Sequence, residues 1–405
     1  MDITGSADTA RQASAPGSSS TSRSLFAACL VHALHDGYTD GLYAFMPVWQ
    51  AQFRLSYAGL AVVRALYYGT MGGLQLPGDK LLRGLSPRAA LALSTLIASA
   101  GFLIMALPVG FAGLCIGLVV AGVGSSIQHP RASQLVTETY RGASRGPLGI
   151  YNFSGDLGKA TLPAIAALLL PILAWRPVIG MMALLGLVVT IGFLFLAPTG
   201  SSAANRGTEK AIAGQFRTGF GLLTAIGAFD TATRMGYLLF LPFLIHGHGG
   251  TSATVGLGLA LLFTGGALGK ATCSWLGQHL GTASTVLVTE AATAVLITGT
   301  LFTPLVPMLV ILPVLGVVLN GTSSVLYGTV PELAPDGDTG RAFAIFYTGV
   351  ISSGGLAPII YGAVADHSNQ TVGILVAAMT AALIIPLVLA LRPFLRSPSG
   401  EMPAP

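Results

Sequence analysis

The chain has 405 residues, of which 53% are hydrophobic and 9% charged, with 53 glycines and a formal charge of +5. Ordinary soluble domains carry roughly 25% charged residues, so a soluble enzyme lacks the polar surface it would need, and disorder is excluded by a mean hydropathy of +0.74. The basic excess forms no block of five or more residues, so nucleic acid is not an expected partner. The class left is a polytopic membrane protein.

Residues 1–22 are rich in Ser, Thr, Ala and Gly and lack an apolar segment. They are expected to be a disordered cytoplasmic tail without a cleavable signal peptide. A spanning helix needs about 20 mainly apolar residues. Twelve stretches qualify in chain order: 25–49, 57–78, 88–108, 110–131, 147–171, 176–197, 216–246, 252–276, 284–303, 305–331, 341–365 and 371–391. The polar segment 198–215 (PTGSSAANRGTEKAIAGQ) divides them six and six. The expected organisation is therefore a first six-helix bundle over 23–197, a central loop, a second bundle over 216–392 and a tail over 393–405. Cys29, Cys115 and Cys273 each lie in an apolar run, with neither a disulfide framework nor zinc spacing.

The positive-inside rule orients the chain. With both ends cytoplasmic, the inner segments hold Arg11, Arg23, Lys80, Arg83, Arg88, Arg131, Arg141, Arg145, Arg206, Lys210, Arg217, Arg341, Arg392 and Arg396. The outer loops hold only Arg54 and Arg176. The two halves also repeat weakly but in order. Asp36 falls on Asp230, Tyr43 on Tyr237, Ser125-Ser126 on Ser323-Ser324 and Pro163 on Pro358. Duplicated halves with a site near the midplane are a common transporter design.

Several stretches carry a family resemblance: HALHDGYTDGLYAFMPVW at 32–49, GVGSSIQHPRAS at 122–133, YNFSGDLGKATLPAIAA at 151–167, YGTVPELAPDGDTGRAFAIFY at 327–347 and GAVADHS at 362–368. With twelve spans and a six-plus-six repeat, they resemble the major facilitator superfamily and, within it, the fosmidomycin-resistance group of bacterial drug exporters. The resemblance implies an all-α fold of two pseudo-symmetric six-helix bundles, alternating access, and a conformational loop between the second and third spans. That loop reads PGDKLLRGLSPR at 77–88, where Gly78, Arg83 and Arg88 match the pattern and its Asp is displaced or lost.

Nine ionisable residues besides histidine fall within the spans: Asp36, Asp40, Asp156, Asp230, Glu290, Arg64, Lys159, Arg234 and Lys270. Left unpaired in lipid they would cost roughly 20–30 kcal/mol at about 2.5–3.5 kcal/mol each. They must face water or one another, and intramembrane charge marks function by default. His32, Asp36 and Asp40 climb one face of the first span at i, i+4 and i+8, flanked by His35 and Thr39, and His32 and His35 are expected to line the substrate cavity. Asp36 can bind a proton or substrate, join a structural pair, or hold a metal, and the last lacks a second ligand cluster in sequence. Asp40 is expected to pair with Arg64. Asp156 shares the proton-coupling expectation with Asp36. It forms a possible intrahelical pair with Lys159, which can instead recruit an anionic substrate.

Asp230 and Arg234 at i, i+4 read as a pair or as cavity residues, and Asn320 as a cavity hydrogen-bonder. Lys270 can snorkel towards the cytoplasm, Glu290 sits on a peripheral helix, and His129-Pro130-Arg131 ends the fourth span as a gate or an anchor. Gly265-Gly266, Gly269 and Gly354-Gly355 read as small-residue packing.

No phosphate-binding loop, zinc helix or nucleophile elbow is present in the sequence. Neither an enzyme, nor a cofactor, nor a metal is expected. The reading is a secondary transporter of the bacterial inner membrane, exporting a small polar compound or drug against protons. Its alternatives are uptake of a small organic anion and a non-transporting sensor of the same fold. The expected partners are the small-molecule substrate, protons and the lipid bilayer, with the chain acting as a monomer.

Overall fold

The computed structural model describes residues 18–82, 84–140, 145–197, 218–335 and 339–395. They form helices throughout: α1 (Ser18–Phe53), α2 (Tyr57–Gly73), α3 (Gln75–Leu81), α4 (Pro87–Ala106), α5 (Gly110–Tyr140), α6 (Arg145–Leu169) and α7 (Trp175–Leu196) in the first half. The second half holds α8 (Thr218–Gly247), α9 (Ser252–Leu280), α10 (Thr282–Phe302), α11 (Leu305–Thr329), α12 (Thr339–His367) and α13 (Gln370–Leu391). Apart from the seven-residue α3, each helix coincides with one expected span to within a few residues at most of its ends.

Two differences have local causes. Residues 18–22, expected in the tail, open α1, and Ser and Thr are well tolerated in a first helical turn. The expected span 57–78 breaks at Leu74 (φ −96°, ψ 0°) into α2 and α3. Pro77 lacks an N–H and its ring crowds the carbonyl of Gly73, which favours a break one turn before it. The expected tail residues 1–17, the central loop and residues 396–405 lie outside the described residues, as does Arg83.

Among the described residues, eight helices are long and apolar enough, by length and composition, to cross a membrane. The four other long helices are α1, α2, α6 and α8. These carry Asp36 and Asp40, Arg64, Asp156 and Lys159, and Asp230 and Arg234. The helices that fall short of a plain span therefore hold most of the intramembrane charge; α2 has only 17 residues. Large apolar side chains point outward elsewhere, with Phe195, Ile172, Phe302 and Val306 each more than 70% exposed. A soluble surface rarely tolerates so continuous an apolar exterior.

Within the first half α1 packs on α6, and α4 on α5 and α7; within the second α9 packs on α11, and α8 on α12 and α13. The halves meet along two seams, α6 on α9 and α2 on α12. Small residues permit this closeness. A Cβ on Gly158 would lie 1.9 Å from the carbonyl oxygen of Ala33, so α6 rests directly on the backbone of α1. The expected packing role of the α9 glycines also holds: a Cβ on Gly265 would lie 2.0 Å from the Pro313 carbonyl. All three cysteines are free.

Candidate functional site

The site starts from α1. Its middle brings His32, Asp36 and Asp40 onto the side facing α6 and α2. His32 stacks on Tyr151, with ring centroids 3.9 Å apart, and its Nδ1 lies 2.7 Å from the Tyr151 carbonyl oxygen. A carbonyl only accepts, so Nδ1 carries a hydrogen and Nε2 is turned to Asp36, 3.3 Å from Oδ2. Asp36 also meets His129 Nε2 at 3.6 Å and Lys159 Nζ at 3.2 Å. A carboxylate buried to 6% residue exposure thus collects three basic groups from α1, α5 and α6.

The same lysine extends the cluster. Lys159 Nζ is 3.8 Å from Asp156 Oδ1. Asp156 accepts two hydrogen bonds from Lys270 Nζ, at 2.6 and 2.8 Å. Asp156 is on α6 and Lys270 on α9, so this ion pair crosses from one half of the chain to the other. Of the roles open to Lys270, snorkelling is not the one seen; it bridges, because a carboxylate lies within reach of its stem. The lysine side chains are 28% and 37% exposed and His129 is 34%, whereas the Asp36 and Asp156 side chains are 9% and 8%. Lipid does not stabilise such exposed charges, so the opening they face is aqueous. Its wall presents cations, with the acids set behind them.

His32, Asp36 and His129 bring ligand-type atoms within 4.8 Å of one another. Sequence spacing could not place His129 there. Lys159 already supplies a positive charge to the same carboxylate oxygen, so the group is ion-paired and does not call for a metal.

The Arg64–Asp40 pair is looser than expected, at 4.0 Å. Arg64 lies instead over the rings of Tyr43 and Tyr68, at 4.5 and 4.9 Å. Asp230 is 3% exposed; the charge of Arg234, one turn away, acts on it, and the carboxyl of Glu290 is its neighbour on α10. Glu290, expected on a peripheral helix, is 1% exposed. The Nε of Arg234 has no hydrogen-bond partner.

Two expected cavity residues are turned elsewhere. His35 is held between Ser125 Oγ (2.9 Å) and Thr95 Oγ1 (3.2 Å), inside the first half. Asn320 donates to the Gly316 carbonyl of its own helix and packs on Gly266. Gly78 lies beside Ser126 of α5, and Arg88 donates to the carbonyl of Leu194.

At one end of the bundle the halves are closed. Asp366, the last acid of α12, accepts the backbone N–H groups of Tyr57 (2.8 Å) and Ala58 (3.0 Å) at the start of α2. The Tyr57 hydroxyl donates to Gln370, and its ring packs edge-on against Phe240 and Phe243. Sequence reading quoted GAVADHS without giving Asp366 a role. Its partner is 309 residues away, and no local signal marks it.

Two helical halves joined along two seams, with paired charges at mid-helix, can now be set beside known proteins. The profile of the Major Facilitator Superfamily matches residues 28–231 and again 221–404. The chain belongs to the major facilitator superfamily. Solved structures share this superfamily member's fold. One is a POT family transporter in complex with 5-aminolevulinic acid (TM-score 0.75, 12% identity, 92% of this chain and 96% of that one). Another is a bacterial homolog to the human lysosomal transporter Spinster, in an inward-facing and unoccupied conformation (TM-score 0.66, 16% identity, 93% and 96%). A third is a POT family transporter in complex with a thioalcohol conjugated peptide (TM-score 0.69, 12% identity, 92% and 96%). No curated protein matches the chain. Membership makes this superfamily chain a multi-pass membrane transporter and indicates a transporter rather than an enzyme.

Proposed function

We propose that the chain is a proton-coupled secondary transporter that exports a small polar compound or drug by alternating access, with Asp36 as the proton carrier. The resemblance to the fosmidomycin-resistance group supplies the direction and the solute class. The observation that carries the coupling is the surroundings of Asp36: a nearly buried carboxylate at mid-helix, touched by His32, His129 and Lys159, beside an opening that reaches Lys159 and His129. A proton reaching that carboxylate finds an acceptor whose neighbours also bind and pass protons.

The expected orientation puts the Tyr57–Asp366 closure on the outer side, so the conformation described here is closed to the outside. Solute would enter from the cytoplasm, and a proton from the acidic outer side would load Asp36 after the halves rock. The chain would reside in the bacterial inner membrane with both termini in the cytoplasm.

The test is transport in inverted vesicles with an imposed pH gradient and a panel of drugs and organic anions. Asp36→Asn is expected to abolish gradient-driven movement while solute exchange without a gradient persists. Full gradient-driven transport by Asp36→Asn would end the assignment. A second reading, uptake of an organic anion, is favoured by the cationic wall formed by Lys159 and Lys270. The same vesicles separate the two by the direction of net movement.

A further inference from the structure

Lys159 stands between two carboxylates that belong to different interactions. On one side is Asp36, at 3.2 Å. On the other is Asp156, at 3.8 Å, already engaged by Lys270 of the second half at 2.6 Å. Both ammonium groups approach the same oxygen, Asp156 Oδ1. We infer that Lys159 is a shuttle that passes the neutralisation of Asp36 on to the bridge between the halves. The inference rests on Asp36 being the group that takes up the proton.

The argument is one of competing charges. While Asp36 is ionised, Lys159 is held closer to it than to Asp156, and Asp156 is left to Lys270. When a proton neutralises Asp36, the attraction on that side is lost. The carboxylate remaining within ion-pair distance of Lys159 is Asp156, and a lysine stem has the rotational freedom to cover so short a distance. Two cations then face one carboxylate and repel each other. Lys270 is the more exposed of the two, 37% against 28%, so it is the one that water can take back. The bridge loosens, and the inner ends of α6 and α9 are free to part.

The other groups around Asp36 leave this competition intact. On α1, His32 binds Asp36 directly, and Asp40 lies 4.0 Å from Arg64 of α2 and attracts Lys159 only from beyond ion-pair distance. His35 of α1 and Tyr67 of α2 sense Asp36 electrostatically, but both are held by Ser125. His129 of α5 approaches the other carboxylate oxygen, Oδ1, and Tyr151 of α6 lies under His32. Arg234 of α8 acts on Lys159 from a distance as a like charge. The backbone of Lys159 is fixed, because neighbouring Gly158 rests on Ala33. The side chain moves and the helix stays.

The experiment measures the separation of the inner ends of α6 and α9 by spin labels on cysteines at Gly149 and His279, both exposed, with Cys29, Cys115 and Cys273 replaced. Asp36→Asn, which mimics the protonated carboxyl, is expected to lengthen the distance. The double variant Asp36→Asn with Lys159→Gln is expected to return it to the wild-type value, since no freed lysine then competes for Asp156. A lysine with only a structural role would make the double variant worse. A second measurement uses the ionisable chain: lowering the pH should lengthen the distance in wild type and leave Lys159→Gln unmoved.

An unchanged distance in Asp36→Asn, absence of rescue by Lys159→Gln, or an equal pH response in Lys159→Gln would each overturn the shuttle. If Asp36→Asn loses gradient-driven transport but keeps its distance, the shuttle alone fails. If it keeps gradient-driven transport, the proton assignment itself fails.

Discussion

Asp366 caps the helix that begins at Tyr57, and the two residues belong to opposite halves of the chain. The capping is complete. Ser56 Oγ accepts from Gly59 N at 3.1 Å, and Asp366 takes the two N–H groups before it. A negative charge at a helix N-terminus is favoured by the helix dipole as well as by the hydrogen bonds.

Removing this contact should shift the balance between open states. Asp366→Ala is expected to lose about 0.5–2 kcal/mol of capping, which is about two- to thirty-fold in the population of the state closed at this end. Labels on the Tyr57 and Asp366 ends of α2 and α12 would report the shift. Asp366→Asn keeps an acceptor and should fall between the two.

The Asp156–Lys270 bridge makes a stability prediction. Breaking a buried pair by removing one partner costs about 3–5 kcal/mol. Lys270 is 37% exposed, so solvent reduces the expected cost of Lys270→Gln to about 1–2 kcal/mol. Asp156→Asn combined with Lys270→Gln removes both charges and should be milder than Lys270→Gln alone. Thermal unfolding in detergent compares them; a double variant less stable than either single one would contradict the pairing.

Arg64 is held by two rings rather than by a close carboxylate. Arg64→Lys keeps the charge but loses the planar stack. A decrease of about 0.5–2 kcal/mol is expected from the cation–π contacts, read as a lower unfolding temperature. Tyr43→Leu should reproduce part of the loss, and a fully stable Arg64→Lys would show that Asp40 alone holds the arginine.

Orientation is tested by labelling. Cysteines at Ser201 and Ser397 should be protected from an impermeant reagent in whole cells, while one at Gly247 should react. Gly247 is exposed with open space at its Cβ, unlike Gly249, whose φ of +84° strains any replacement. Labelling of Ser201 from outside would invert the topology and, with it, the direction of proton entry.

The helices and the intramembrane charges were legible because both are properties of short stretches. Apolar length marks a span, and a charge inside one stands out against it. The partners were not legible. His129 was read as a gate or anchor, yet it meets Asp36 93 positions earlier in the chain. Lys270, late in its span, can snorkel as far as its own helix shows, and the acid it meets sits on α6. The spacing of Asp230 and Arg234 shows their interaction along one helix face, but not that Glu290 of α10 is also a neighbour of the same acid. Local spacing ranks intrahelical partners first; packing of α1, α5, α6 and α9 decides otherwise. The weak repeat that aligned Asp36 with Asp230 placed an acid at mid-helix in each half without showing that the two have different company.

Gly155 gives the cluster a vulnerability that involves no ionisable group. A Cβ there would lie 2.5 Å from Asp36 Oδ2 and 2.6 Å from His32 Cε1. The carboxylate and the imidazole are seated against bare backbone, in space left free by the lack of a side chain. A single methyl at this position would push the acid away from its bases while leaving every charge in the protein unchanged. The chemistry of Asp36 therefore depends on one methyl group being absent from the neighbouring helix.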